Sequence, residues 1–153
     1  MVRLSDLPTE YAEDLKNLPI TDYGPAPWAA APDIKQARVA IISTAGIHRA
    51  SDARFVGGAA DYRLLPGDLD FAELEMSHVS VNFDRSGYQQ DPNIAFPLER
   101  LREMAANGEI GSVAKWHYSL MGATDPTRMV ETAPQVAKLL KEDNVTAAIL
   151  IPI

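Results

Sequence analysis

Two short apolar runs limit the folds that this chain can adopt. Residues 37–44 read ARVAIIST and residues 145–153 read VTAAILIPI. Both runs are short and rich in β-branched residues, so they predict strands that are buried on both faces. Such strands are typical of parallel sheets, because helices cover those sheets on both sides.

The chain between these runs carries the patterns of further strands and helices. The predicted elements are strands at DYRLLP (61–66) and SHVSVNF (77–83), a helix in FPLERLREMAANGEIG (96–111), and a second helix after Asp125-Pro126. In the first helix Leu98, Leu101 and Met104 share one face, and Asn107-Gly108 offers a left-handed stop. Strands that alternate with helices predict an α/β fold with an open, largely parallel sheet and flanking helices.

Residues 112–122, SVAKWHYSLMG, alternate between two kinds of side chain. Trp116 and Tyr118 fall on the face expected in the core, whereas Lys115 and His117 fall on the opposite face. The alternation predicts a strand with one solvated or partner-facing side.

The first 36 residues differ in character from the rest. Five of the 11 prolines lie within residues 1–32, which predicts a proline-rich N-terminal arm preceded by one short helix around Glu10 to Leu18. We therefore expect two parts, residues 1–36 as helix and arm and residues 37–153 as the α/β domain.

Composition excludes several classes of function. A formal net charge of −7, with 14 scattered Lys and Arg residues, argues against binding nucleic acid. The N-terminal sequence has no apolar leader region and no run is long enough to span a membrane, so we expect a cytoplasmic protein without membrane partners. The absence of cysteine from the sequence excludes disulfides, thiolate metal sites and a cysteine nucleophile within it.

In open α/β sheets, ligands bind beyond the carboxyl ends of the strands. The polar residues expected near those ends are Ser43, Thr44, His48, Asp84 and Arg85. His78 precedes a strand but could point to the same edge, so these six are the candidate substrate-binding residues.

Several of these candidates could contact a small charged ligand. Arg85 offers a bidentate donor to a carboxylate, Asp84 can hold Arg85 or accept an amine, and His48 can donate a proton. Structural alternatives stay open at this point. Each histidine can simply support its loop or strand, and Asp84 and Arg85 can form a loop salt bridge.

The run SHVSVNFDRSGYQQDPNIAFPLERLREMAANGEIGSVAKWHYSLMGAT resembles the selenoprotein B family of the glycine, sarcosine and betaine reductases, including the related selenocysteine-bearing subunit of D-proline reductase. The resemblance extends through APQVAKLLKEDNVTAAILIPI and back to VAIISTAGIHR, and so covers residues 37–153. The long middle string is specific, whereas pieces such as STAG are not.

The resemblance implies reductive cleavage of a C–N bond by a selenol or thiol. In the family a selenocysteine or cysteine follows the strand that reads AAILIPI here, and another cysteine follows a few residues later. A pyruvoyl group on a partner subunit is implied as the activator of the substrate. The implied partners are other reductase subunits, a thioredoxin-like dithiol donor and a small amino-acid-type substrate.

The sequence departs from the family where the nucleophile is expected. It contains neither selenocysteine nor cysteine, so no catalytic residue is expected within it. Because selenocysteine is encoded by UGA, we expect Ile153 to precede a misread UGA codon, which would make this chain the N-terminal part of a longer domain, inactive as given. A genuinely short protein, a frameshift and a trimmed sequence remain the alternatives.

Two other functions compete with the reductase. The first is a non-catalytic α/β module that binds a small anion at Ser43, Thr44 and Arg85, or that assembles with a subunit through the arm and AAILIPI. The second is a metal-dependent hydrolase using the histidines, but their spacing matches no HxxxH pattern and we expect no metal site. No glycine-rich nucleotide motif is present.

Overall fold

The structure is a computed structural model of the 153-residue chain. It describes residues 3–18, 22, 24–25, 28–80 and 83–153. The chain divides into two compact units, Met1–Ala30 and Ala31–Ile153.

The first unit contains the short helix expected from the sequence. Helix α1 spans Thr9–Lys16, begins after Pro8 and buries the side chain of Ala12. Exposed apolar side chains, including Tyr11 and the 95% exposed Trp28, accompany it. Part of the predicted proline-rich arm lies outside the described residues, so the arm stays a prediction.

The second unit contains seven strands and three helices within the described residues. In chain order they are β1 (Arg38–Ser43), β2 (Ile47–Arg49), β3 (Arg63–Pro66), β4 (Leu74–Met76), α2 (Ser86–Gln90), α3 (Leu98–Ala106), β5 (Ser112–Val113), β6 (Trp116–Ser119), α4 (Thr132–Glu142) and β7 (Ala147–Ile151). Single 3₁₀ turns lie at Ile34–Gln36, Phe71–Glu73, Pro92–Ile94 and Pro126–Met129.

Strand β1 is the centre of the main sheet. On one side, β7 pairs with it in parallel from Val39↔Ala147 to Ser43↔Ile151. On the other side β5 and β6 pair with it in succession, also in parallel, and β3 adds an antiparallel edge to β6. Strands β2 and β4 form a separate antiparallel pair. The expected α/β fold, with a largely parallel sheet and flanking helices, is therefore confirmed.

Helix α3 and the loops before it bury the main core against the sheet. Leu98 and Leu101 of α3 are buried, as the helical spacing predicts, and Gly108 ends the segment with a φ of 70°. The core residues are Ala37, Val39, Ile41, Ala45, Ile47, Leu65, Leu69, Ala95, Phe96, Leu98, Leu101 and Ile110.

The strand predicted at residues 77–83 is not observed in its described part. The chain pairs earlier, at β4, and Ser77 to Ser80 and Phe83 belong to no strand. Val81 and Asn82 lie outside the described residues. Pairing ends there because Gly46, with a φ of 65°, leaves the extended conformation, and the last main-chain contact is the hydrogen bond from the amide of Ser77 to the carbonyl of Gly46 (3.0 Å).

The prediction that His117 faces solvent or a partner is wrong. Between the pairs Val39↔Val113 and Ile42↔Tyr118, β1 advances by three residues, whereas the segment that contains β5 and β6 advances by five. The imidazole of His117 points into the sheet, where its Nδ1 accepts a hydrogen bond from the amide of Ile41 (2.9 Å). The side chain is therefore fully buried.

Within the described part of the chain, every helix is too short or too polar to cross a bilayer.

Candidate functional site

The carboxyl ends of three parallel strands meet at one edge of the main sheet. Thr44 follows β1, Gly122 lies shortly after β6 and Ile153 lies shortly after β7. Main-chain hydrogen bonds hold them together, since the amide of Thr44 donates to the carbonyl of Ile151 (3.0 Å) and the amide of Gly122 donates to that of Thr44 (2.8 Å). We refer to Thr44, Gly122, Ile153 and the adjacent His78 as the rim.

The side chain of Thr44 fixes the main chain of Ile153. Its Oγ1 accepts a hydrogen bond from the Ile153 amide at 2.8 Å and donates towards the Ile153 carbonyl oxygen at 3.1 Å. The threonine is half-buried, so this contact is partly shielded from water.

Gly122 leaves the space that the Ile153 carbonyl occupies. A Cβ atom at position 122 would overlap the Ile153 carbonyl oxygen and would lie 3.0 Å from the carbonyl oxygen and the hydroxyl of Thr44. Any larger residue would therefore displace the chain at the end of β7.

His78 reaches the rim because the chain makes a close approach at Gly46. Gly46 has a φ of 65°, and a Cβ there would lie 3.1 Å from the amide nitrogen of His78. The imidazole is 4% exposed. Its Nδ1 accepts from the amide of Ser80 (3.2 Å), which places the proton of the neutral ring on Nε2.

The surroundings of His78 favour the neutral form of the ring. Burial lowers the pKa of the ring, and the charge of Arg85 lowers it further. The backbone of Ile153 is near enough to oppose this lowering, although Nε2 makes no hydrogen bond of normal geometry among the described residues. His78 therefore presents a buried N–H donor at the rim.

Ser43 lies beneath the rim and its hydroxyl is already engaged. The side chain is fully buried. Its Oγ donates to the carbonyl of Ala95 (2.9 Å) and accepts from the amide of Ala45 (3.3 Å). In this structure the hydroxyl joins β1 to the loop before α3.

His48 lies in the two-stranded sheet, where it pairs with Glu75. It is 1% exposed, with Nδ1 2.8 Å from the carbonyl oxygen of Arg49 and the Phe55 ring packed edge-on at 6.5 Å between centroids. These contacts do not bring it to the rim.

Asp84 and Arg85 lie at the start of α2 and make different contacts. Asp84 is exposed and accepts from the amide of Ser86 (2.9 Å), and this hydrogen bond holds the pKa of the carboxyl below its usual value. The guanidinium of Arg85 donates to the carbonyl of His78 and lies 3.5 Å from that of Ser80. The structure thus connects Arg85, but not Asp84, to the loop that carries His78.

No sequence motif predicts that two further residues lie close to Arg85. Glu75 of β4 and Tyr88 of α2 line the same cavity as Arg85, which has a volume of about 330 Å³. Burial and the charge of Glu75 raise the pKa of Tyr88 to about 12. No motif indicates that these two residues converge, because the contact depends on the turn between β4 and α2.

Metal ligands do not cluster in the part of the chain that the structure describes. No three His, Asp or Glu side chains there lie close enough together to bind a metal ion.

The sheet and the rim define an α/β domain whose candidate ligand site lies at the carboxyl ends of parallel strands. A family model described as glycine/sarcosine/betaine reductase selenoprotein B matches residues 8–152. The chain belongs to this family, which confirms the resemblance seen in its motifs.

Three relatives are similar to the chain. D-proline reductase subunit gamma of Acetoanaerobium sticklandii is 31% identical over 137 residues, which cover 87% of this chain and 55% of the relative. Two proteins of Peptoclostridium acidaminophilum are each 28% identical. For the betaine reductase complex component B subunit beta, the match covers 77% of this chain and 28% of the relative. For the sarcosine reductase complex component B subunit beta, it covers 87% of this chain and 31% of the relative.

The chain therefore spans about half the length of the first relative and less than a third of the other two. No solved structure matches it.

Proposed function

We propose that this chain forms part of a reductase subunit that cleaves a C–N bond of a small amino-acid-type substrate, with a dithiol as electron donor. The observation that carries the proposal is the convergence of Thr44, Gly122 and His78 around the end of β7, in a chain that belongs to a reductase family. The relatives are named for reductases of D-proline, betaine and sarcosine.

The proposal includes a nucleophile that follows Ile153 in the full-length product, as selenocysteine or cysteine. Two observations support it. The family description names a selenoprotein, and the rim fixes the main chain at the point from which such a residue would continue. A selenol suits the reaction because it is ionised at neutral pH, whereas an ordinary thiol has a pKa of about 8.5.

The residues of the rim have separate roles in this proposal. Thr44 holds the main chain that leads to the nucleophile, Gly122 leaves space for that chain, and His78 offers an N–H donor to a developing negative charge. A pyruvoyl group on a partner subunit would supply a carbonyl that activates a substrate amine. Other reductase subunits and a thioredoxin-like dithiol donor are the proposed partners, in the cytoplasm.

The intact mass and selenium content of the native protein test this function. We expect a species heavier than the 153 residues, carrying one selenium atom when the nucleophile is selenocysteine. We also expect dithiol-dependent consumption of at least one of D-proline, sarcosine, betaine and glycine. A selenium-free species with the mass of the 153 residues, without such activity, would refute the reductase.

The alternative is a non-catalytic module that assembles with another subunit. It is favoured by strand β7, in which Leu150 is 69% exposed and Ile149 is 37% exposed. The groove beside the strand is lined by Ile42, Thr44, Leu150, Ile151 and Pro152. The test is mutation of the proposed nucleophile in the full-length product. A complex with another reductase subunit that forms equally well in that variant would support this role.

A further inference from the structure

Strand β7 exposes apolar side chains on the face of the sheet that α4 covers in part. Ile42 of β1 pairs with Leu150 of β7, so their side chains lie on the same face. There Ala148 and Leu150 are exposed, Leu150 by 69%. On the opposite face Ala147 and Ile151 pack against the main core. The larger apolar surface left open is therefore on the α4 side.

Helix α4 forms one wall of an apolar groove on this face. Beside the helix lies a cavity of about 210 Å³ lined by Ile42, Leu120, Ala133, Val136, Ala137 and Leu140. A second cavity, of about 340 Å³, is lined by Ile42, Thr44, Leu150, Ile151 and Pro152. Because Ile42 lines both, we treat them as one surface and call it the α4–β7 groove. None of these lining residues is charged, and the small side chains of Ala133 and Ala137 allow another helix to approach α4 closely.

The order of the strands determines which face a following helix would cover. The chain passes from β6 through α4 to β7 and crosses β1, with which both strands pair in parallel. Crossover connections between parallel strands are right-handed in about 98% of cases. A further crossover, from β7 to a parallel strand beyond it, runs in the same direction across the sheet. The same handedness therefore places its helix on the α4 side, at the α4–β7 groove.

We propose that the α4–β7 groove is the docking site of an amphipathic helix that follows Ile153 in the full-length product and lies beside α4, antiparallel to β7. This inference rests on the proposed function, in which the chain continues beyond Ile153 with the nucleophile. The loop that carries the nucleophile is then held at both ends, by the hydrogen bonds of Thr44 to Ile153 before it and by the docked helix after it.

The groove also specifies the chemistry of this helix. Because the lining residues are uncharged, the contacting face of the helix carries apolar side chains at helical spacing. Leu139 and Asp143 of α4 line a cavity with Trp116 at the start of β6. This contact turns the exposed Lys141 towards the opposite side of α4, next to β7. An acidic side chain is therefore expected on the flank of the docked helix that faces Lys141.

Two measurements on the native full-length product test the docking. The first is hydroxyl-radical footprinting, which labels side chains according to their exposure to water. Val56 is the matched control, because its side chain is 67% exposed and lies outside the groove. After correction for intrinsic reactivity, Leu150 is expected to react about fivefold more slowly than Val56, or slower still, because a close-packed helix excludes water from it.

The second measurement is cross-linking with a carbodiimide, which joins a lysine amine directly to a nearby carboxylate. Lys141 is expected to join an Asp or Glu of the same chain beyond Ile153. Mass spectrometry of a mixture of isotope-labelled and unlabelled protein separates links within one chain from links between two copies. Lys141→Arg is the control, because it keeps the charge and removes the reactive amine, so the cross-link should disappear.

The possible results separate the docking site from the reductase function. A reactive Leu150, or a Lys141 that is linked to another subunit, to a second copy or to no carboxylate, would overturn the docking proposal even if the native protein carries selenium and reduces an amino acid. A protected Leu150 and the expected link, in a longer product without selenium or reductase activity, would support the docking site and refute the reductase. A native product that ends at Ile153 would refute both.

Discussion

The hydroxyl of Thr44 binds both main-chain groups of Ile153. Oγ1 accepts a hydrogen bond from the Ile153 amide at 2.8 Å and lies 3.1 Å from the carbonyl oxygen of the same residue. One side chain at the end of β1 therefore fixes the chain at the end of β7, 109 positions later. The rim is held by contacts that are distant in sequence.

Thr44→Val should loosen this connection while preserving the shape of the side chain. The half-buried amide of Ile153 loses its partner, so we expect the free energy of unfolding to fall by about 1–2 kcal/mol. Thr44→Ser retains the hydroxyl and serves as the control. Urea unfolding and hydrogen exchange at the Ile153 amide measure the effect, and equal stability and exchange in the two variants would contradict it.

Gly122→Ala should displace the end of β7. The added Cβ overlaps the carbonyl oxygen of Ile153, so either the chain shifts or the fold loses about 1–3 kcal/mol. Gly57→Ala is the matched control, because nothing lies within 4 Å of its Cβ position and its φ is not positive. There, a change of 0 to about 1 kcal/mol in the stabilising direction is expected. Thermal unfolding of both variants gives the comparison.

Much of this fold could be predicted from local patterns. Strands β1 and β7 follow from their apolar runs, and α3 follows from the spacing of Leu98 and Leu101 with a left-handed Gly108 at its end. Strands β2 and β4 have three residues each. Pairing between distant segments creates strands of that length, and no local pattern identifies them.

The sequence patterns also predict Thr44 and His78 as candidate site residues, but they do not indicate that the two lie close together in space. The close approach at Gly46 brings His78 to the rim, and it exists only in the folded chain. The prediction for His117 fails for a related reason. Alternation assumes a regular strand, whereas two additional residues opposite β1 turn this imidazole towards the amide of Ile41.

The exposed side chains of β7 should promote self-association. Leu150 of β7 is 69% exposed. Among the described residues, β7 pairs with β1 along one of its edges. Exposed strand edges recruit other strands, and a charge on them opposes this. We expect concentration-dependent association in sedimentation velocity, and we expect Leu150→Lys to lower it. Val56→Lys, at a side chain that is 67% exposed elsewhere, should have no effect. Equal association of both variants would argue against the β7 edge.

The buried His117 should make stability depend on pH in a defined window. Burial, reinforced by the charge of Arg102, lowers the pKa of His117 from 6.5 to about 4. Between these values the unfolded chain binds a proton that the folded chain excludes. Stability from this group is therefore complete above about pH 6.5 and is lost as the pH falls towards 4, by about 3 kcal/mol in all.

His117→Asn isolates this contribution, because the Oδ1 of asparagine can replace Nδ1 as the acceptor for the amide of Ile41 while the side chain does not titrate. The two proteins should differ most in stability at pH 7, and their difference should shift by about 3 kcal/mol in favour of the variant as the pH approaches 4. Carboxylates titrate in both proteins, so their effect cancels in the comparison. Urea unfolding at half-unit steps of pH measures the shift, and a constant difference would show that folding leaves the pKa of His117 unchanged.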